Sequence, residues 1–365
     1  MKRYTPRTLI KYLIKEFSFS LMIFTVIFSS LIVLTTFIQE ITFFQEKEVS
    51  DNFLLRMLLL TFIKSPTLII NSSSFIFLFA GIFFYVKFMK NNEIIPISLS
   101  GFSMNFITLV PGIFSFFLGI VIIIIFSPIS SELSKYYESI KKNYSKNDNL
   151  IVMSETGIWI KEKKNDNIYI IRADKLSGND FAKLKNISIY TFSKNKFKER
   201  INGDNGIIVK NNLKITPANL VSDARNISLN NYTYISQINL ENIKNYFINA
   251  DTFSIWSVKN ALNDVRKMGY FGEEIIIKFH KYLSLPFLLF AMIVLSTFFT
   301  IKMNFTFNNF IYAFLGILTG IIVYFFYDLS IAVGKSGKLP LILSVWMPVI
   351  LINVFSIYIL INNED

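Results

Sequence analysis

Few side chains of this sequence belong to the types that perform covalent or metal chemistry. His280 is the single histidine and there is no cysteine, which excludes disulfides, thiolate metal sites and cysteine nucleophiles. A lone histidine without a nearby acidic cluster makes a poor metal site, so we interpret His280 as an interfacial polar residue at the edge of an apolar run. Because no Ser/His/Asp or paired-glutamate arrangement is evident, the sequence predicts no catalytic residue, no metal and no cofactor.

A nucleotide-binding loop is not evident either. Gly334, Lys335 and Ser336 resemble the end of a P-loop, but Leu329 stands where that motif needs a glycine. An apolar run, instead of a strand, precedes them. The chain is therefore not predicted to bind ATP by this route.

Four polar residues stand at the ends of long apolar runs. Gln39 and Glu40 end the first run, Lys64 opens the second, and Asp328 closes the fifth. Interfacial anchoring is one interpretation, since such side chains reach water from the end of a membrane span. The alternative is a functional role, in which they cluster at the outer mouth of a cavity or lateral gate between the first and fifth runs.

The polar break 88–101 separates the second and third apolar runs. Glu93 stands there among apolar residues, so a turn of helix would lie on a membrane surface and present its carboxylate to an Arg or Lys of a partner. A plain solvated loop is the alternative. Because Pro96 would forfeit the first intrahelical hydrogen bond of a helix capped by Asn92, we expect a helix that begins later or breaks after Glu93.

The elements that must position these residues are membrane helices. With 52% hydrophobic and 16% aromatic residues and a mean hydropathy of +0.46, the chain is too apolar for a soluble protein. Six runs are long enough to cross a bilayer, at about Phe17–Ile38, Ser65–Val86, Phe102–Phe126, Leu283–Ile301, Phe305–Tyr327 and Leu339–Ile361. The first run is too long for a signal peptide and lacks a cleavage site, so we predict a retained helix.

Charge asymmetry orients these helices. Five basic residues precede the first run, and the short pieces on that side hold eight Lys and Arg against five on the other side. Because basic loops stay in the cytosol, 88–101 and the C-terminus are predicted to be cytosolic and 129–281 external. The predicted domains are 1–128, a β domain 129–250, a connecting helix 251–281 with apolar residues at helical spacing before Gly269, and 282–365.

The middle region changes character after Pro128. Short runs of alternating apolar residues, separated by Asn, Asp, Gly and Lys turns, predict an antiparallel β domain of the sandwich or jelly-roll type. These runs are 157–161, 167–172, 187–192, 206–209 and 232–235. Residues 132–281 hold 24 basic and 16 acidic residues, a net charge of +8, which attracts anionic lipid or reflects composition alone. No motif for nucleic-acid binding is evident.

The layout and several motifs together resemble the lipopolysaccharide-transport permeases, the LptF/LptG pair. The layout is three helices, an external β domain and three further helices. The motifs, in order, are Arg3-Tyr4, Lys11-Tyr12-Leu13, Lys64-Ser65-Pro66, Asn91-Asn92-Glu93-Ile94-Ile95, Gly101-Phe102-Ser103, Glu155-Thr156-Gly157-Ile158-Trp159, Ile187-Ser188-Ile189-Tyr190, Phe279-His280-Lys281-Tyr282-Leu283-Ser284-Leu285-Pro286, Pro340 and Trp346-Met347-Pro348. Each motif alone is weak, but their order and spacing nearly end to end are specific. The region 268–280 looks more like the LptG member.

The resemblance implies an α+β membrane protein of the bacterial inner membrane. Its expected fold has six transmembrane helices (3+3) and an inserted periplasmic antiparallel β jelly roll. Such a half-transporter pairs with its paralogue, binds a dimeric cytosolic ABC ATPase, and extracts lipopolysaccharide from the outer leaflet. The family's loop glutamate, here Glu93, contacts the ATPase, with Asn91, Asn92 and Gly101 beside it. The jelly roll docks edge to edge with periplasmic jelly-roll bridge proteins.

Two departures from the family and two other functions bear on this expectation. Pro96 stands where the family usually has a good helix former, and the outer end of the first helix lacks lysines that some members use near lipid phosphates. A non-transporting membrane scaffold or sensor is the alternative function, although six spans are excessive for an anchor. A membrane enzyme that modifies lipid would need an acidic or histidine cluster at one interface, and none is evident.

Overall fold

The computed structural model describes residues 7–45, 53–144, 150–154, 157–164, 167–177, 183–193, 196–209, 212–222, 225–236, 249–267, 272–298, 300 and 309–361. The chain divides into two compact units. Met1–Ser139, Asp251–Trp256 and Ile276–Asp365 form the first, and Ile140–Ala250 with Ser257–Ile275 form the second. The first unit is a helix bundle, and the second contains the β-sheet.

Ten α-helices lie within the described residues. In chain order they are α1 (Arg7–Gln45), α2 (Phe53–Asn71), α3 (Ser73–Lys90), α4 (Ile94–Leu99), α5 (Met104–Val121), α6 (Ser127–Tyr144), α7 (Val258–Lys267), α8 (Glu273–Thr297), α9 (Asn309–Lys335) and α10 (Leu341–Ile361). A π-helical segment, Ile122–Phe126, joins α5 to α6. The third apolar run therefore continues as helix well past its predicted end at 126.

Seven helical stretches in the described part of the chain are long and apolar enough to cross a membrane, by length and composition alone. The sequence predicts six, and the additional stretch is Leu54–Asn71. Arg56 and Lys64 interrupt it, which is why hydropathy alone begins the second run at Ser65. The prediction of several apolar helices is confirmed.

Only Ser72 separates α2 from α3. The Ser72 amide donates to the Leu68 carbonyl at 2.9 Å, and the Ile76 amide donates to the Ser72 carbonyl at 3.2 Å. Hydrogen bonds from residue i to residue i−4 therefore continue through the junction. α1 packs along both α2 and α3, whereas α2 and α3 scarcely touch each other, as expected of two helices joined end to end.

An aromatic core joins α1, α3 and α5. Phe17 of α1 contacts Phe77 and Phe84 of α3 and Phe114 of α5, with ring centroids between 5.8 and 6.5 Å apart. Phe17, Phe84 and the neighbouring Phe88 are fully buried. Because lipid tails are as apolar as these rings, close packing stabilises such contacts in a membrane bundle more than burial from water does.

Two glycines of α5 face α8 in different ways. A Cβ atom on Gly119 would lie 2.7 Å from the Cα atom of Pro286, which belongs to the backbone. A Cβ atom on Gly112 would lie 3.0 Å from the edge of the Phe290 ring, which can turn aside. The backbones of α5 and α8 are therefore in direct contact at Gly119, an approach that only glycine permits.

The π-helical segment and the first residue of α6 each provide an acceptor for the chain that follows the β region. Trp256 Nε1 donates to the Ile124 carbonyl at 3.4 Å, and the Ile255 amide donates to Ser127 Oγ at 3.2 Å. A widened turn leaves its carbonyl oxygens open to donors outside the helix. Residues 255 and 256 are thereby attached to the helix formed by α5 and α6.

The described residues of the second unit form one antiparallel sheet of eight strands. They are β1 (Leu150–Ser154), β2 (Gly157–Lys164), β3 (Asn167–Ser177), β4 (Lys183–Ser193), β5 (Lys196–Val209), β6 (Asn212–Ser222), β7 (Arg225–Leu229) and β8 (Tyr232–Ile235). Strands β1 to β7 pair in chain order, as in a meander, and β8 pairs with the first part of β6. The antiparallel prediction is confirmed, and the strands are longer and more numerous than predicted.

One face of this sheet forms an apolar core. Its members come from β2 to β6 and from β8, and they are almost completely buried: Ile160, Ile171, Ala173, Leu184, Ile187, Ile189, Ile201, Ile208, Leu213, Ile215, Ala218 and Tyr234. Gly203 of β5 lies where a Cβ atom would collide with the side chain of Ile215 and approach the Pro217 carbonyl to 2.7 Å. The missing side chain at Gly203 lets the sheet bend toward this face, which we call the inner face.

The predicted connecting helix 251–281 is divided in the structure. A 3₁₀ turn, Ala250–Thr252, precedes α7, and α8 begins at Glu273. Gly272 has a φ of +64°, a conformation that breaks a helix and suits glycine. Two acidic residues, Glu273 and Glu274, occupy the first turn of α8, where the helix dipole favours them. Gly269, the predicted helix end, lies outside the described residues.

Candidate functional site

The connection between α3 and α5 is ordered by its backbone. α3 ends at Lys90, Asn92 has a φ of +52° and Gly101 a φ of +86°, both in the left-handed region that asparagine and glycine tolerate best. Between them, α4 begins directly after Glu93. Of the two alternatives expected from Pro96, a helix that begins later is the one observed: the chain leaves α3 at Lys90, and no helix runs unbroken from Asn91 to Gly101.

Pro96 is the third residue of α4. The first amides of a helix have no intrahelical acceptor, so a proline there removes no hydrogen bond. The helix can therefore contain Pro96 because it starts at Ile94, two residues after Asn92. The proline and the left-handed Asn92 act together to make a sharp corner after α3.

Glu93 is held at this corner by two hydrogen bonds. Tyr12 of α1 donates its hydroxyl to Glu93 Oε2 at 2.7 Å, and Asn91 Nδ2 donates to Glu93 Oε1 at 2.9 Å. Glu93 as a whole residue is half-buried. Of the four residues predicted here, Asn91 and Glu93 are thus in contact, while Asn92 and Gly101 contribute their backbone conformations.

An ion pair one helical turn away attaches α1 to α3. Lys87 Nζ lies 2.6 Å from Glu16 Oε2, and the same ammonium lies 5.7 Å from the centre of the Phe19 ring. Tyr12 and Glu16 are four residues apart and therefore lie on the same face of α1. The residues predicted from the sequence to be functional do not include Tyr12, Glu16 or Lys87. The i, i+4 spacing of Tyr12 and Glu16 is the signal that could have found them.

The short helix α4 has one packed side and one exposed side. Ile94 and Ile97 pack against the aromatic core, whereas Ile95 is 61% and Leu99 84% exposed. These two large side chains form a small exposed apolar surface beside the Glu93 carboxylate. We call Glu93, Ile95 and Leu99 the α4 surface.

A second polar cluster lies where α1, α2 and α6 meet. Tyr137 donates its hydroxyl to Glu40 Oε1 at 2.6 Å, and Lys64 Nζ lies 5.4 Å from the centre of the Tyr137 ring. Lys64 also donates to Gln39 Oε1 at 3.4 Å. Glu40 is fully buried, and such a carboxylate requires hydrogen-bond donors. The structure thus brings together Gln39, Glu40 and Lys64, and adds Tyr137.

Asp328 lies elsewhere in the helical unit. It is an exposed residue of α9 and interacts with Tyr324 of the same helix. α9 packs against α10 and α3. Three of the four residues predicted at the end of the apolar runs therefore form one cluster, and Asp328 is outside it.

His280 pairs with an indole. Trp346 Nε1 donates to His280 Nδ1 at 3.2 Å, so that nitrogen carries no proton in this arrangement. Among the described residues there is no group of three or more His, Asp or Glu that could hold a metal ion.

Tyr137→Phe is expected to lower the stability of the helical unit by about 1–3 kcal/mol, because a buried carboxylate loses a donor. The apparent midpoint of thermal unfolding in mild detergent measures this. Tyr136→Phe, at an exposed tyrosine of the same helix, is the matched control. The double substitution Glu40→Leu with Tyr137→Phe should recover part of the loss, since both polar partners are then removed. Equal midpoints for the two single variants would contradict the cluster.

Long apolar helices packed around an aromatic core, with an inserted antiparallel sheet, define a multi-pass membrane protein. The family model described as lipopolysaccharide export system permease LptF/LptG matches residues 11–362, and the chain belongs to this family. The predicted family is confirmed, and with it a role as a permease in lipopolysaccharide export. No curated protein matches the chain.

Proposed function

We propose that this protein is one permease half of an ATP-driven exporter that extracts lipopolysaccharide from the outer leaflet of the bacterial inner membrane. It pairs with a paralogous permease subunit, binds a cytosolic ABC ATPase dimer and passes the lipid to periplasmic jelly-roll bridge proteins. The family match over nearly the whole chain carries this proposal. We keep LptG as the more similar member, on the motifs at 268–280.

In this proposal the chain crosses the membrane six times, because α2 and α3 together make a single crossing. Their hydrogen bonds continue through Ser72, and α1 packs along both of them. The contacts of Tyr12 with Glu93 and of Glu16 with Lys87 join the start of α1 to the end of α3. Arg7, Lys11, Lys15, Lys87 and Lys90 belong to these two helix ends, which supports a cytosolic location for them. The β-sheet then lies in the periplasm, and its jelly-roll character stays a prediction.

The α4 surface is the proposed contact with the ATPase. Its carboxylate is oriented by Tyr12 and Asn91, and its exposed Ile95 and Leu99 supply apolar contact area. A carboxylate already held in place loses little conformational freedom when a partner cation binds. Asn92 and Gly101 shape the two turns that flank this surface.

The α1–α2–α6 cluster is the proposed outer boundary of the lipid path. Gln39, Glu40 and Lys64 stand at the end of α1 opposite to Tyr12, and they can form a lateral gate on that side. Asp328 belongs to the proposed gate only if α9 approaches this cluster during transport.

The work of extraction sets the need for ATP. Moving an acyl chain from the bilayer into water costs about 0.8 kcal/mol per CH2 group, so an amphiphile with several chains does not leave spontaneously. Closure of an apolar cavity between the permease halves supplies that work. The inner face of the β-sheet would offer the chains an apolar surface during transfer once its strands separate.

Tyr12→Phe tests whether α1 holds Glu93 for the ATPase. The ring contact with Phe88, at 6.0 Å between centroids, is kept while the hydroxyl donor is lost. A hydrogen bond to a charged group contributes about 1.5–3 kcal/mol, and less where water competes. We therefore expect a several-fold decrease in lipid released per ATP hydrolysed by the reconstituted complex, with the ATPase still bound.

Tyr358→Phe, at an exposed tyrosine of α10, is the control for this measurement. Unchanged release per ATP in Tyr12→Phe would contradict the positioning role of Tyr12. Loss of the ATPase from the complex would instead place Tyr12 in the contact itself.

A further inference from the structure

An ionisable side chain is buried in the apolar inner face of the β-sheet. Glu162 of β2 is fully buried, two residues from the core residue Ile160. Removing a carboxylate from water is costly unless donors surround it. A hydrophobic residue would pack at this position without that cost, so the presence of Glu162 calls for an explanation.

Two hydroxyl groups donate hydrogen bonds to Glu162. Tyr234 of β8 donates to Glu162 Oε2 at 2.8 Å, and Ser236, just after β8, donates to Glu162 Oε1. Burial and the hydrogen bond to Glu162 raise the pKa of Tyr234 well above its ordinary value, so its hydroxyl remains a donor at neutral pH. The Tyr169 ring lies 5.3 Å from the Tyr234 ring and supports it.

The two strands joined by these hydrogen bonds are not neighbours in the sheet. β2 pairs with β1 and β3, and β8 pairs with β6. The contact therefore crosses the inner face and connects strands from opposite sides of one bent sheet. β8 is four residues long, and β6 is its pairing partner among the described strands, so few backbone hydrogen bonds oppose its movement.

The inner face is occupied by its own side chains in this conformation. Its core residues in the described strands are at most 5% exposed, so they are not accessible to a ligand. An acyl chain can lie on this face only after the opposing strands separate. Such a separation must break the hydrogen bonds from Tyr234 and Ser236 to Glu162, which join β8 to β2.

We propose that Glu162, Tyr234 and Ser236 form a clasp that holds the inner face closed, and that its opening admits the acyl chains of an amphiphile. The identity of the occupant rests on the proposed function. A polar clasp suits a reversible closure, because water or ligand hydroxyls replace its hydrogen bonds once it opens. An apolar residue at position 162 would instead pack into the closed core, and water could not replace its contacts when the face opens.

Spin labels on the full chain in phospholipid nanodiscs test the clasp. The chain has no cysteine, so Lys161→Cys and Thr233→Cys, both at exposed positions beside Glu162 and Tyr234, give a single labelled pair. Without added amphiphile we expect one narrow distance distribution. Tyr234→Phe with Ser236→Ala leaves the carboxylate without its two hydroxyl donors, and we expect a population longer by roughly 5 Å, about the spacing of one strand.

Thr191→Val is the matched control, because it removes a buried hydroxyl that contacts the same core without belonging to the clasp. A second pair, Lys198→Cys and Lys214→Cys on β5 and β6, reports whether the sheet is still folded. An unchanged 161–233 distance in the clasp variant overturns the proposal. A longer distance with an unchanged 198–214 distance supports it.

Lysophosphatidylcholine and lipopolysaccharide are added separately to the 161–233 labelled protein that keeps Glu162, Tyr234 and Ser236. The results distinguish a failure of the clasp from a failure of the proposed function. Lengthening of the 161–233 distance by either amphiphile supports the clasp. Lengthening by lysophosphatidylcholine alone supports the clasp and contradicts lipopolysaccharide as its occupant. No lengthening with either amphiphile overturns the clasp, and ATP-driven lipopolysaccharide release by the complex would still support the proposed function.

Discussion

Glu93→Lys is expected to lower ATP-driven lipopolysaccharide release by more than about tenfold, since truncating or inverting one partner of a close charge pair costs about 2–5 kcal/mol. The substitution replaces a carboxylate that accepts from Tyr12 and Asn91 with a cation that cannot accept. It also repels the Arg or Lys that we propose on the ATPase. Two effects of the same sign therefore act at one position.

The measurement has two parts, co-purification of the ATPase with the permease and lipid release by the reconstituted complex. Glu132→Lys is the control, because it makes the same charge change at an exposed residue of α6 paired with Lys135. ATPase association and lipid release that both remain intact in Glu93→Lys would refute the α4 surface as the contact. If lipid release is lost while the ATPase remains bound, Glu93 transmits the movement of the ATPase to the permease.

Gly119→Ala is expected to destabilise the helical unit by about 1–3 kcal/mol, the usual cost of overpacking a well-packed core. The new Cβ atom would lie 2.7 Å from Pro286 Cα. No rotamer change can relieve a clash with backbone, so α5 and α8 must move apart. We also expect loss of packing at neighbouring contacts, since helices in a membrane associate through close approach of small residues.

Gly112→Ala is the matched control on the same helix. Both substitutions gain about 1 kcal/mol of helix propensity, but the Cβ atom at position 112 meets the Phe290 ring, which can rotate. The apparent unfolding midpoint of the full chain should therefore fall clearly in Gly119→Ala and remain near the original value in Gly112→Ala. Equal midpoints would mean that the backbones of α5 and α8 do not touch at Gly119.

Local signals predicted the elements well where neighbouring residues determine the conformation. Pro96 predicted that a helix here begins later than Asn92, and α4 does begin at Ile94. Alternating apolar residues found β2, β3, β4, β8 and the end of β5. They missed β1, β7 and β6, and in β6 Pro217 and polar residues interrupt the pattern. Hydropathy likewise ended the third run at Phe126, although the helix continues through polar residues to Tyr144.

The candidate sites were predicted only in part, because their contacts join distant positions. Glu93 was identified as a lone carboxylate among apolar residues, but Tyr12, 81 residues away, became visible only in the folded chain. Glu40 was identified at the end of an apolar run, whereas its partner Tyr137 is 97 residues away. Glu162 gave no signal at all, since a glutamate between lysines in a strand is ordinarily exposed.

The sequence by itself determined that this is a membrane protein of several apolar helices with an inserted antiparallel β region, and it indicated the family. Those properties depend on hydropathy, periodicity and motif order, which neighbouring residues express without tertiary contacts. Only the tertiary structure decided which side chain holds Glu93, which residues surround Glu40 and that Glu162 is buried against Tyr234. These pairings depend on how α1 packs on α3 and α6 and how the sheet bends, and no local pattern along the chain records that packing.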